Sequence, residues 1–236
     1  MEEMQQKGYL YETHMHTNQG SACGASTGAE MARSLYRHGY AGAVVTDHFF
    51  NGNCRIDRSL PWEERVRQFI RGWEDCREEG ERLGLQVWFG FEWNWKACEF
   101  LVHGLTPEWL FAHPDCDRLT PEAFCGRVHD GGGYIVRAHP FRQAPYIPRC
   151  CLFPGFVDAV EVRNGNLAHF LNPGYDEKAL AYARQFGFPV TAGTDVHSAE
   201  GVFGMGMRFD RPLSDHAALI EAIRAGTGRL ETPPHP

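Results

Sequence analysis

The chain has 236 residues, 43% apolar and 22% charged, with a formal charge of −7 at pH 7. That length and balance fit a single globular domain over 1–236 with a sizeable core. The acid excess argues against a binder of extended nucleic acid, which would carry a basic face, and no apolar run is long enough to span a membrane. The first residues, MEEMQQKG, are polar and acidic rather than leader-like, so a cytoplasmic protein is expected. The eight cysteines, which include the adjacent Cys150 and Cys151 and show no CxxC spacing, are expected as reduced thiols.

Strand-like and helix-like segments alternate along the chain. YLYET (9–13) reads as a strand, and GAEMARSLYRH (28–38) as a helix with Ser26 or Thr27 as N-cap. AGAVVT (41–46) suits a buried strand. PWEERVRQFIRGWEDCREEGERLG (61–84) reads as one long amphipathic helix with Pro61 at its first turn. LQVWFGFEW (85–93) and EFLVHGL (99–105) are strands, and TPEAFCGRVHDGG (120–132) is a helix stopped by glycines. GYIVRA (133–138), VDAVEVR (157–163) and PVTAGT (189–194) are strands; PGYDEKALAYARQFG (173–187) and SDHAALIEAIRAG (214–226) are helices. About seven β/α units with short connections favour an α/β barrel of parallel strands over an open sheet. Function in such barrels gathers at the C-terminal ends of the strands.

The chemistry-bearing residues fall at those ends. His14 and His16 follow YLYET one residue apart, so both point to one side. Asp47 and His48 follow AGAVVT, Glu92 closes FGFEW, His139 follows GYIVRA, and Asp195 and His197 follow PVTAGT. Imidazole mixed with carboxylate suits zinc, manganese or iron. The donors exceed what one four-coordinate ion needs, so two or three divalent ions are expected, with one carboxylate bridging. Arg137, Arg142 and Arg163 lie near strand ends, where a guanidinium fork can grip phosphate; Asn164 and Asn166 border the same rim. The segments 49–60 and 141–155 are irregular and placed to cover it. Trp88, Trp93 and Trp95 flank Glu92 and read mainly as core, with a stacking platform as the alternative. The glycines at 131–133 read as a helix stop, not a phosphate loop, and Ser198 as a supporting neighbour of His197.

HMHT (14–17), TDH (46–48), the strand-closing Glu92, AHP (138–140) and GTDVH (193–197), in that order, resemble the PHP (polymerase and histidinol phosphatase) family over about residues 9–200. HT-x-x-x-S-x-C-G and HPFR are similar to its stand-alone phosphoesterases. The resemblance implies a distorted (β/α)7 TIM-like barrel. It implies His14, His16 and Asp195 as ligands of a first ion, Glu92 as the bridge, His139 on a second ion, and His48 and His197 on a third. That third site usually takes another histidine from the loop after the first motif; here Cys23 sits nearest, and a thiolate serves zinc well. Where many members read H-x-L-G-Y-G-L, Glu99 holds the ligand place and His103 the tyrosine place.

The expected activity is hydrolysis of a small phosphate mono- or diester by metal-activated water, with Arg142 steadying charge and Asp47 or His103 as general acid. A phosphorylated small molecule is the expected partner. Two other readings compete: an amidohydrolase-like hydrolase of C–N or carboxylic ester bonds, and a non-catalytic accessory module. The first commonly uses a carboxylated lysine, and none of Lys7, Lys96 and Lys178 ends a clear apolar strand. The second usually lacks several ligands.

Overall fold

The structure, a computed structural model, describes residues 8–232; the polar stretch 1–7, with Lys7, lies outside the described residues. The elements in order are β1 (Tyr9–Met15), α1 (Gly28–Arg37), β2 (Tyr40–Val45), α2 (Trp62–Phe69), α3 (Arg71–Leu83), β3 (Gln86–Trp95), β4 (Cys98–His103), α4 (Pro107–Ala112), α5 (Pro121–Asp130), β5 (Tyr134–Arg137), β6 (Ala159–Asn164), α6 (Leu167–Leu171), α7 (Gly174–Phe186), β7 (Val190–Gly193), β8 (Gly206–Phe209), α8 (His216–Arg224) and β9 (Arg229–Glu231).

One sheet runs β7-β6-β5-β4-β3-β2-β1-β8-β9. It nearly closes on itself beyond β7, where Asp195 N donates to His14 O at 2.8 Å and His16 N to Val196 O at 2.9 Å. This is the expected barrel of seven strands. Gly193 permits the closure, because a Cβ there would sit 2.5 Å from His14 Cβ. The distortion has a definite place. β4 runs antiparallel to both β3 and β5, while β1, β2 and β3, and then β5, β6 and β7, pair parallel. Only Lys96 and Ala97 separate β3 from β4, too few residues for a crossover helix. Both take positive φ (52° and 65°) in a tight hairpin. The rim therefore receives the start of β4, not its end.

Local signals mostly hold. Thr27 caps α1 in a capping box with Glu30, and Thr120 caps α5. The long helix expected over 61–84 breaks at Ile70 into α2 and α3. The short α4, α6, β8 and β9 carry too few periods to show in sequence. The tryptophans are core rather than platform: Trp93 is fully buried and stacks on Phe124 at 4.1 Å, and Trp88 stacks on Tyr11 at 5.6 Å. The expectation of uniformly reduced thiols needs correction. Cys98 and Cys151 are joined as a disulfide with Cα atoms 6.0 Å apart. Their separation of 53 residues left no spacing signal.

Candidate metal centre

Alternation along β1 turns Glu12, His14 and, just past its end, His16 into the barrel, where all three are buried. Each imidazole is fixed through one nitrogen, which frees the other. His14 Nδ1 lies 2.9 Å from Glu161 Oε1, and His14 N donates to Glu12 Oε1 at 2.8 Å. His16 Nδ1 lies 3.1 Å from Ser21 Oγ, which donates to Asp47 Oδ1 at 2.7 Å and accepts from His48 N at 2.9 Å. His197 Nδ1 lies 2.7 Å from the backbone oxygen of Asp195. These pairings assign the protons to Nδ1 and leave the Nε2 lone pairs facing inward.

Glu92 stands among them. Its Oε1 is 3.4 Å from both His14 Nε2 and His139 Nε2; its Oε2 is 2.6 Å from His48 Nδ1 and 3.8 Å from His16 Nε2. Asp195 Oδ1 lies 3.2 Å from His16 Nε2 and 3.5 Å from His14 Nε2, and Glu99 Oε2 lies 3.5 Å from His139 Nε2. Four triads have ligand atoms mutually within 4.8 Å: His14, His139 and Asp195; His14, His16 and Glu92; His48, Glu92 and Glu99; and His16, His48 and His197. His14 Nε2, His16 Nε2, His48 Nδ1 and both Glu92 oxygens are buried without an aligned hydrogen bond. Buried polar atoms rarely go unpaired, and here they converge on common points. Their donor chemistry fits divalent ions.

The charges are strongly coupled. Burial opposes ionisation of His14, but Glu161 and Asp195 outweigh it and hold its pKa well above the usual value. Burial and the neighbouring His48 and His197 push His16 well below. Glu92 and Asp195 are held well below the carboxylate range despite burial, by His48 and His14 respectively before other histidines. Partial burial raises the Cys23 thiol, but hydrogen bonds with His197 and His48 more than offset that and bring it to about 6. Two candidate ligands also sit on strained backbone: His139 has φ 27° and Asp195 φ 53°.

A cavity of about 410 Å³ opens over this cluster, lined by Cys23, His48, Asn53, Glu99, His139, Arg142, Tyr146, Asn166, Asp195 and His197. Arg142 leans across it, with Nη2 3.0 Å from Glu99 Oε2 and Nη1 3.4 Å from Asp195 Oδ2. The loops 49–60 and 141–155 thus contribute Asn53, Arg142 and Tyr146 to its walls.

Five candidates stand elsewhere, Asp47, Arg137, Arg163, Asn164 and His103. Asp47 is saturated beneath the rim, accepting from Thr17 N and Thr17 Oγ1 (both 2.6 Å) and from Ser21; it positions the loop bearing Ser21. Arg137 spends its guanidinium on the carbonyls of Glu99, Ala138 and Cys151. Arg163 bonds Val162 O and faces Asp176 on a second cavity of about 280 Å³. Asn164 binds Glu161 Oε2 at 2.9 Å and reaches Asp195 Oδ2 at 3.5 Å, so it orients ligands from behind.

His103 is carried away by the direction of β4. It pairs with Gly90, four residues and roughly 13 Å along the strand from Glu99. There its Nδ1 lies 3.4 Å from His216 Nε2, and His216 stacks on Trp88. Burial outweighs Asp215 and lowers His216 from 6.5 to about 4. Its contribution to stability is complete above pH 6.5 and is lost as pH falls through about 4. His216→Phe, which keeps the stack, is expected to lose about 2–3 kcal/mol less than the parent between pH 7 and pH 4, measured by urea unfolding.

Sequence reasoning missed Glu161 and Ser21. A lone carboxylate in the apolar strand AVEVRN was the available signal for Glu161; Ser21 stood in the motif HT-x-x-x-S-x-C-G without a role assigned to it. Glu161→Gln keeps the shape but weakens the grip on His14 Nδ1, and ion retention on dialysis is expected to fall about 10–100-fold.

The PHP-associated family (PHP_C) matches residues 174–227, from α7 through α8. No curated protein matches the chain in sequence. Among solved structures, the barrel is similar to a two-domain Bacteroides vulgatus protein containing a predicted PHP-like metal-dependent phosphoesterase, with TM-score 0.69 and 15% identity over 93% of this chain. This chain spans 63% of that one. It is also similar to the lesion-specific endonuclease PfuEndoQ of Pyrococcus furiosus (TM-score 0.60, 13% identity, 94% of this chain and 57% of that). A Chromobacterium violaceum amidohydrolase, solved with sulfate and no metal, matches at TM-score 0.56 and 14% identity over 84% of this chain and 90% of that. The chain thus matches the PHP-associated family in its C-terminal segment and shares its barrel fold with a structure described as PHP-like.

Proposed function

We propose that the protein is a metal-dependent phosphoesterase acting on a small phosphate mono- or diester. The observation that carries this is the convergence of orphaned imidazole and carboxylate atoms beneath a cavity whose wall bears Arg142. His14, His16, Glu92 and Asp195 would hold one divalent ion, Glu92, Glu99 and His139 a second, and His48 and His197 a third. When bound, zinc, manganese or iron there supplies Lewis acidity that activates water and offsets phosphoryl charge.

The residues do the rest. Arg142 swings its fork from Glu99 and Asp195 to two phosphate oxygens. Glu161, Ser21 and the backbone of Asp195 hold His14, His16 and His197 in the ligating tautomer. Tyr146, Asn53 and Asn166 meet the remainder of the substrate at the mouth, and the Tyr146 hydroxyl can donate to the leaving oxygen.

The amidohydrolase reading has a structural neighbour in its favour, but no lysine lines this cavity among the described residues: Lys178 borders another cavity and Lys96 lies over Trp95. An accessory role fits poorly with so full a donor set. No helix among the described residues is long and apolar enough to cross a membrane.

The test is to reconstitute the protein with zinc, manganese or iron. It is then assayed on p-nitrophenyl phosphate, bis-p-nitrophenyl phosphate, p-nitrophenyl acetate and an anilide. Turnover of a phosphate ester, abolished in the H14A/H16A double variant, is expected. Turnover of the acetate or anilide alone would transfer the assignment to the rival hydrolase.

A further inference from the structure

His169 is a buried histidine that the metal centre leaves unused. It sits in α6, only 3% exposed, and its Nδ1 lies 2.6 Å from Oδ1 of Asp176 in the first turn of α7. A carboxylate only accepts, so Nδ1 carries the proton and Nε2 presents a lone pair. That Nε2 is buried and has no partner among the described residues. Buried polar atoms rarely stay unpaired, and an orphan acceptor is one half of a hydrogen bond that a ligand can complete. His169 belongs to none of the triads of converging ligand atoms, so no ion accounts for it.

His169 lines the cavity of about 280 Å³ that α6 and α7 share with Met205 and Thr232, beside β8 and β9. About 150 Å³ is enough to hold a benzene ring. Phe170, Pro173 and Met205 give it apolar walls, the kind of lining that holds a small organic body while a few polar groups fix its orientation. The charges around it are uneven. Arg163 Nη1 lies 4.0 Å from Asp176 Oδ2, so those two offset each other. Asn164 is spent on Glu161, Asp195 and the backbone of Asn166. Glu177 lines the cavity with no cation paired to it among the described residues. What remains is a carboxylate and a lone pair, the complement of a cationic donor. The N-terminus of α7, which would draw an anion, already has Asp176 and Glu177 in its first turn.

We propose that this cavity is a binding site, separate from the metal centre, for a primary ammonium on a small apolar body. One N–H donates to His169 Nε2, the charge faces Glu177, and the apolar body lies against Phe170 and Met205. Such a site is independent of the bond that the metal centre hydrolyses. It nevertheless adjoins that centre, because the His169 and His139 rings meet edge to face with centroids 6.2 Å apart.

The test takes zinc-loaded protein and three probes of one shape: benzylamine, benzyl alcohol and benzoate. Calorimetry at neutral pH is expected to show benzylamine binding about 10-fold or more tightly than benzyl alcohol, with benzoate weakest. His169→Phe keeps an aromatic ring in the buried place but removes the acceptor, and should weaken benzylamine and benzyl alcohol alike by about 10-fold. Glu177→Gln, at an exposed position, should weaken benzylamine by about 3-fold or more and leave benzyl alcohol unchanged. In unaltered protein with nitrogen-labelled histidine, the His169 Nε2 resonance, assigned by its loss in His169→Phe, should shift with benzylamine, as that of a merely structural histidine would not. Binding should survive removal of zinc by a chelator. Benzoate bound as tightly as benzylamine would make this an anion site, and loss of binding with the zinc would put the amine on the metal. Either result, binding by none of the probes, or affinity unchanged in both variants would overturn the assignment.

Discussion

Glu92→Gln is expected to release bound ions and lower turnover by on the order of 10³-fold or more, with the fold intact by circular dichroism. Among the described residues, Glu92 is the one side chain within ion-pair distance of His14, His16, His48 and His139 at once. An amide of the same shape has one acceptor in place of two, and its NH2 would face imidazole nitrogens that need a ligand partner. Several kcal/mol of transition-state stabilisation from the ions would go with it, and each 1.36 kcal/mol is a factor of ten in rate. Metal analysis after gel filtration, beside the phosphatase assay, checks both halves. Full metal content with full activity would remove Glu92 from the bridge.

Arg142→Ala is expected to leave metal content unchanged and lower kcat/KM for the phosphate ester by about 10²–10³-fold, the usual effect of deleting one preorganised donor at a developing charge. Arg142→Lys should recover little, because an ammonium cannot reproduce a two-pronged fork. Arg142 spans Glu99 and Asp195, which places it over both carboxylate walls of the cavity. A loss of ions rather than of rate in Arg142→Ala would mean that it only organises those acids.

Much of the centre was legible because period-two alternation and parallel β/α order bring strand ends to one rim. His14, His16, His48, Glu92, His139, Asp195 and His197 all meet where that rule puts them. The rule has no term for strand direction, and the turn at Lys96 and Ala97 contains neither glycine nor asparagine to betray a hairpin. His103 was therefore placed at the wrong end of the barrel. Arginines near strand ends were legible as a set and not singly. Arg137 is consumed by the carbonyls of Glu99, Ala138 and Cys151, whereas Arg142 extends over an open cavity. Glu161 and the Cys98–Cys151 pair depend on contacts between segments far apart in sequence, which no local pattern encodes.

The left-handed backbone at His139 and Asp195 sets heat resistance against use. Glycine at either position would relieve a conformation that ordinary side chains resist, by roughly 1 kcal/mol or more. At position 195 it would also take one anion out of a crowd of three. A selection for thermotolerance carried out without metal would drift toward these two replacements, and its winners would be the variants least able to hold an ion.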